Sequence, residues 1–380
     1  MFNISKRDRR SRMGLGMLMA TGMMACVMST SLIAEDNPYI YGMHDPGGEH
    51  LMGENGGWLV HTEEIGLTGA QGKDFTQYKD KKMTNIVRLN YGYGSKGTLP
   101  YEKDYEQFAQ NAANYIKNSK GVDYWIIGNE TNLPREWPGN DGWNEGVGEK
   151  ITAARYVKAY NKIYDKVDAM NLAEKPKICP SPSGTWAPPY GGIGDFVHYW
   201  RDILDGIGAD RVDGIPLHAY THGADPSLVT SDKKMNDPYQ DKYYNFRVYK
   251  NYMEMIPESM KDKPVFITEC DQNSESGKWV GDTFQAWKDE NNGWVKAIYE
   301  EVNNWNMVDD NQKIRCVAMY RWPAYKEGST SYGLSELLNV QEDFKEAVAM
   351  GRTWREVPEP ASLAMLGLGG LMLMRRRQRG

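Results

Sequence analysis

Eight short apolar runs, separated by longer amphipathic or polar stretches, constrain this chain more than any other feature. They are Tyr39–Met43, Trp58–His61, Asn85–Leu89, Tyr124–Gly128, Lys177–Pro180, Gly214–His218, Val265–Thr268 and Arg315–Tyr320. Most are rich in Val, Ile and Tyr and too short for a helix, as parallel strands buried on both faces should be. Helical periodicity marks the stretches between them: Tyr101–Asn118, Ile151–Met170, Gly194–Ile207, Tyr243–Met260 and Gly293–Asn304. A weaker stretch, Asp74–Lys81, follows the second run, and Glu336–Met350 follows the eighth. This alternation predicts an α/β fold, a (β/α)8 TIM barrel in a single domain. A doubly wound sheet usually has fewer strands in one unit. No glycine fingerprint follows the first run to support a nucleotide, and no cofactor is expected.

The loops are asymmetric. Helix-to-strand links such as Lys120–Asp123 and Lys261–Pro264 are short, whereas the strand-to-helix links Asn129–Lys150, Ala219–Lys242 and Cys270–Asn292 are long. The elaboration therefore lies at the C-terminal ends of the strands, the face on which barrel enzymes carry their active sites.

Both ends of the chain fall outside the barrel pattern. A basic stretch from Lys6 to Arg12 precedes the apolar run Met13–Val27 and then small residues ending at Ala34. This is the layout of a secretory signal peptide over residues 1–34, cleaved after Ala34. The other end reads Val357-Pro358-Glu359-Pro360, then the apolar run Ala361–Met374, then Arg375-Arg376-Arg377. The tail, residues 357–380, resembles the PEP-CTERM sorting signal of certain Gram-negative bacteria. An apolar run of this kind enters the bilayer and the arginines hold its end inside. The resemblance implies a membrane sorting enzyme as a partner. It also implies an exported body, residues 35–356, at the cell surface or outside the cell, transiently anchored by the tail.

The whole chain has 45 basic and 51 acidic residues; removing five bases and one acid with the leader, and four and one with the tail, leaves a body of net charge −13. Nucleic-acid binding needs clustered Lys and Arg, so no nucleic-acid partner is expected. The same charge argues, more weakly, against a strongly anionic polysaccharide. Three cysteines remain in the body, Cys179, Cys270 and Cys316. Their odd number and irregular spacing suggest small buried side chains rather than a disulfide framework or a zinc site.

Two carboxylates stand out among many. The fourth run ends in Asn129-Glu130 and the seventh in Glu269. A Glu at the C-terminal tip of a buried strand faces a crowded cleft, where desolvation and neighbouring charge tune its proton affinity. A pair of such groups suits glycoside hydrolysis: one protonates the leaving oxygen while the other attacks the anomeric carbon.

Asn-Glu ending the fourth strand and Glu ending the seventh resembles the signature of the clan A glycoside hydrolases, retaining (β/α)8 enzymes that include cellulase-like glycosidases. The resemblance implies that Glu130 is the acid/base and Glu269 the nucleophile. It implies that Asn129 hydrogen-bonds a sugar hydroxyl beside the nucleophile. It implies further that His218 and Tyr220, after the sixth strand, contact the nucleophile, that Trp322, after the eighth, floors the sugar subsite, and that Arg88 orients Glu269. Many clan members carry that arginine on the second strand, whereas the run count here puts Arg88 on the third. His44-Asp45, ending the first run, reaches the same face without an assigned role.

Sugar rings pack their C–H faces on indole. Several tryptophans sit in the long loops, namely Trp137, Trp143, Trp186, Trp279 and Trp287. Trp137, just past Glu130, is the candidate for substrate contact. His218 and His222 are four apart, but Pro216 and Gly223 bracket them, so no metal site is expected. The residues together predict an O-glycosyl hydrolase acting on an extracellular poly- or oligosaccharide. The alternative is a non-catalytic carbohydrate-binding or exopolysaccharide-associated surface protein on the same barrel.

Overall fold

The computed structural model describes residues 35–185, 194–273, 279–280, 283–324, 326–327 and 330–357. The expected leader, nearly all of the sorting tail and Trp186 lie outside them. From Asp36 onward the chain forms one compact unit.

All eight expected strands are present: β1 (Tyr41–His44), β2 (Gly57–Glu64), β3 (Met83–Asn90), β4 (Tyr124–Ile127), β5 (Ile178–Cys179), β6 (Ile215–His218), β7 (Val265–Cys270) and β8 (Ile314–Met319). Every pairing among them is parallel, in the order β5-β4-β3-β2-β1-β8-β7-β6. Across the remaining β5–β6 seam, Asp213 N donates to Ile178 O at 3.0 Å and Ile178 N donates to the Asp213 carboxylate at 2.8 Å. The sheet is thus a nearly closed barrel. Short strands Trp279–Val280, Thr283–Gln285, Lys326–Glu327 and Thr330–Ser331 form a separate sheet in the loops after β7 and β8.

Among the described residues seven α-helices follow the strands: α1 (Thr76–Lys79), α2 (Tyr105–Asn118), α3 (Ala153–Asp168), α4 (Phe196–Ile207), α5 (Val248–Met255), α6 (Trp294–Asn306) and α7 (Leu338–Ala349). After β1 a 3-10 segment, Glu49–Asn55, takes the place of a helix. Helix α5 is shorter than its periodicity suggests. Ile256 precedes Pro257 and is extended, with ψ of 127°, as a residue before proline tends to be.

Two apolar clusters reflect the strand period of two. Trp58, Val60, Ile86, Tyr124, Ile126, Cys179, Phe266, Cys316 and Ala318 fill the barrel interior. Their sequence neighbours Leu59, Val87, Trp125, Ile267 and Val317 belong to the larger layer beneath the helices. The three body cysteines are buried free thiols on β5, β7 and β8. On β3, Arg88 follows Ile86 on the inward face, one step nearer the long-loop end.

Strict alternation from inward Phe266 would turn Glu269 outward. Strand β7 contains an extra residue relative to both neighbours. Leu217 and His218 pair with Ile267 and Glu269, while Val317 and Met319 pair with Ile267 and Cys270. Such a bulge re-aims the side chains beyond it and brings Glu269 to the barrel mouth.

Candidate active site

Glu130 and Glu269 meet at the long-loop end of the barrel. One oxygen from each, together with a ring nitrogen of His218, all lie within 4.8 Å of one another. Glu269 is the more enclosed, with its side chain 7% exposed against 15% for Glu130.

Each oxygen of Glu269 has a donor. Arg88 Nη1 donates to Oε1, and the Tyr220 hydroxyl donates to Oε2 at 2.9 Å. His44 Nε2 lies 3.7 Å from Oε1 and His218 Nδ1 lies 3.7 Å from Oε2. Burial pushes the Glu269 pKa up, but His218, Arg88 and His44 overcome this and hold the carboxyl well below the usual carboxylate range.

Glu130 has different company. His218 Nδ1 is 2.8 Å from its Oε1, and the Tyr220 hydroxyl is 3.4 Å from the same atom. The Tyr220 hydroxyl also lies 3.1 Å from His218 Nδ1, so the tyrosine bridges both carboxylates and the imidazole. Glu130 adopts φ of +39° just after Gly128 at +79°. A positive φ is costly for a residue with a long side chain, and strain of this kind gathers at functional sites. Thr98 helps hold the turn by accepting the Asn129 backbone N–H at 2.7 Å.

Arg88 also donates to Asn129 Oδ1 at 2.6 Å. With its oxygen engaged, Asn129 has its amide NH2 left to offer a ligand. Arg88 lies on the third strand, as the run count places it, and its guanidinium reaches Glu269 from there. His218 contacts Glu130 more closely than Glu269, whereas Tyr220 contacts Glu269.

Trp322 is half-buried at the mouth. Its backbone N–H donates to His44 O at 2.8 Å, and its ring lies over Gly47 and Gly48, with the His50 ring edge-on at 5.4 Å. Trp137 is not brought into the cleft. It is fully buried, and its indole N–H donates to Thr131 O at 3.0 Å, so it pins the β4 loop to the body. Trp287 is likewise buried, donating to Tyr320 O at 2.8 Å. Trp143 is 44% exposed. Whether a loop tryptophan points inward or outward depends on the path of an irregular chain, which no periodicity records.

Sequence reasoning left His44 without a role. It is 1% exposed, with Nδ1 3.2 Å from Asp45 Oδ2 and Nε2 3.7 Å from Glu269 Oε1. Burial, the largest influence, lowers its pKa. Its place at the tip of β1, next to an aspartate, was the available signal. The carboxylates and His218 also have donor spacing suited to a divalent ion. Arg88 and Tyr220 each donate to one Glu269 oxygen, so an ion there would share those oxygens with a guanidinium and a hydroxyl. His222 lies past the end of β6, stacked on Tyr244 at 3.7 Å.

Residues 356–379 match the PEP-CTERM protein-sorting motif. The chain is thus marked as an exosortase-sorted cell-surface protein. No curated protein matches the sequence. Among solved structures, an endo-β-1,4-mannanase from Cellulomonas fimi is similar at 12% identity and a TM-score of 0.52, over 82% of this chain and 70% of that one. A glucosidase from Croceicoccus marinus matches at 8% identity and 0.49, over 83% and 68%. Endoglucanase Cel5A from Thermotoga maritima matches at 11% and 0.44, over 81% and 96%. The mannanase shares the barrel fold, and the body of this protein has a glycoside hydrolase-like TIM barrel.

Proposed function

We propose that the protein is a retaining glycoside hydrolase acting on an extracellular poly- or oligosaccharide, with Glu269 as nucleophile and Glu130 as acid/base. One observation carries the reading: two strand-end carboxylates in one cleft, an oxygen of each within 4.8 Å, set in unlike surroundings. Retaining enzymes hold their two carboxyl groups about 5–5.5 Å apart, inverting ones about 6.5–9.5 Å.

The surroundings divide the labour. Glu269 stays ionised and faces the anomeric carbon. As it forms a bond to that carbon, the bond to the leaving oxygen breaks and the Glu130 proton passes to that oxygen. Glu130 then takes a proton from water, which attacks the same carbon and frees Glu269. Tyr220 and Arg88 keep the nucleophile oriented, Asn129 offers its amide to a ring hydroxyl, and Trp322 supplies a flat apolar surface for the sugar. The barrel shared with a mannanase makes glycans the substrate class to test first. A cleaved leader ending at Ala34 and the sorting tail from Val357 fit action outside the cytoplasm, with the sorting enzyme as partner.

The test is Glu130→Ala and Glu269→Ala on any glycan the parent cleaves. Both abolish turnover while the fold is kept. On an aryl glycoside, whose phenolate leaves without protonation, azide then gives a glycosyl azide of retained configuration in the Glu130 variant and of inverted configuration in the Glu269 variant. Unimpaired turnover by both variants would refute the assignment, as would activity lost to a chelator and restored by a divalent metal. Binding of glycans without cleavage in a broad panel would instead support a carbohydrate-binding surface protein.

A further inference from the structure

Three arginines bear on the cleft, and two are engaged at its base. Arg88 holds Glu269 and Asn129. Arg321 Nε lies 3.1 Å from Asp45 Oδ2. Arg135 differs from both. It stands on the β4 loop, five residues after Glu130, and its side chain is 51% exposed. Its only ion pair among the described residues is long, 3.9 Å from Nε to Glu136 Oε1, and its guanidinium makes no hydrogen bond among them. It lies over the Trp143 ring at 5.4 Å. Glu136, Glu130, Tyr332 and Tyr320 all lie within electrostatic range of its charge, which puts it beside the cleft.

The neighbour that could neutralise Arg135 is a weak partner. Burial raises the Glu136 pKa to about 7, against the lowering effect of Arg135 and with Glu130 adding to the rise. Near neutral pH much of Glu136 is therefore uncharged. The result is a cation braced on an exposed indole, with its planar fork of donors unspent. A guanidinium fork matches the two oxygens of a carboxylate.

The place in the cleft gives the direction. An acid/base residue protonates the leaving oxygen, so a cation within electrostatic range of Glu130 stands on the side of the departing sugar. Resting on the assignment of Glu130 above, we infer that Arg135 and Trp143 form a subsite for a uronic-acid residue on the leaving-group side, which makes an acidic glycan the substrate. The −13 charge of the body opposes this only at long range. Salt screens charges over about 8–10 Å, whereas a bound carboxylate meets Arg135 at contact distance.

The experiment uses glucuronic-acid-containing oligosaccharides from a bacterial exopolysaccharide and the same oligosaccharides after carboxyl reduction. Binding to Glu269→Gln protein is followed by calorimetry, with the Arg135→Gln and Arg135→Lys substitutions added in turn. The acidic forms bind about 10-fold or more tighter than the reduced forms, as expected for hydrogen bonds to a charged group. Arg135→Gln brings the ratio close to one, and Arg135→Lys restores part of it, because charge returns without the fork. Raising salt lowers the ratio in the parent and leaves it unchanged in Arg135→Gln. A parent ratio of one, a ratio that survives Arg135→Gln, or no binding of any acidic probe overturns the inference. Cleavage of neutral glycans with no acidic preference defeats it and leaves the glycosidase reading intact. Arg135-dependent binding of acidic probes that the wild-type protein never cleaves does the reverse.

Discussion

The hydroxyl of Tyr220 donates to Glu269 Oε2 at 2.9 Å and lies 3.4 Å from Glu130 Oε1. One side chain therefore touches both halves of the candidate catalytic pair. Tyr220→Phe keeps the ring and its packing but removes the shared donor. A hydrogen bond to a charged group is worth about 1.5–3 kcal/mol. The variant should lose about 10- to 100-fold in kcat/KM on a glycan the parent cleaves. A circular dichroism melt should show the fold intact. Full activity in Tyr220→Phe would mean that the hydroxyl is structural.

Arg88 is one of three cations that help keep Glu269 ionised, after His218 and ahead of His44. Burial raises the carboxyl pKa, and His218, Arg88 and His44 hold it below its ordinary value of 4.5. The folded state thus binds fewer protons there than the unfolded chain, so this contribution to stability is complete above pH 4.5 and is lost as pH falls below it. Arg88→Gln leaves a buried carboxylate without its cation and should destabilise the protein by about 3–5 kcal/mol near neutral pH. The gap between variant and parent should narrow as pH drops through the parent's acid range. In kinetics, the acid limb of kcat/KM should lie below pH 4.5 in the parent and move upward in the variant. Urea titrations and pH–rate profiles check the two halves separately, and a limb that stays in place would remove Arg88 from this role.

The barrel was legible because its strands are buried on both faces, which leaves an apolar signature in each short run. The two glutamates were legible because each interrupts such a run at its C-terminal end. The bulge in β7 left no sequence signal, because an extra residue changes the phase of a strand without changing its composition. For that reason the inward aim of Glu269 follows from its pairing with His218 and not from alternation. The sequence places His44 at the cleft face but assigns it no role, because a histidine beside an aspartate has many uses. Trp137 resembles a sugar platform in sequence because it follows Glu130 closely, yet closeness along a loop does not fix closeness to the cleft. Its indole N–H turns back to Thr131 instead.

Gly47 makes room for Trp322. A Cβ at Gly47 would sit 2.2 Å from the indole Nε1, and the backbone there has φ of +123°, which L side chains rarely adopt. Gly47→Ala must therefore push the ring off its seat and strain the turn as well. The expected cost is about 1 kcal/mol or more in stability. If Trp322 floors a sugar subsite, KM on a cleaved glycan should rise severalfold in both Gly47→Ala and Trp322→Ala. A Gly47→Ala enzyme with parental KM and a visible loss of stability would confine the indole to packing.

Just before the sorting motif the chain is anchored to the barrel. Trp354 N donates to Pro38 O at 3.0 Å and its indole N–H donates to Asn37 O at 2.8 Å, with the Arg315 guanidinium over its ring at 4.3 Å. These contacts, with Arg355 donating to Asp36 O at 3.1 Å, tie the C-terminal segment to the residues just before β1, so the fold draws on the chain at least as far as Arg355. Truncation after Glu356 removes nearly all of the matched tail and none of these bonds. The truncated protein should melt at the parental temperature yet fail to be retained at the cell surface, appearing in the medium when expressed in a host that has the sorting enzyme. Trp354→Ala should do the opposite. It breaks the anchor, lowers the melting temperature and leaves sorting intact in the protein that folds. Equal surface retention of the truncated and full-length chains would show that something other than the tail decides where the protein goes.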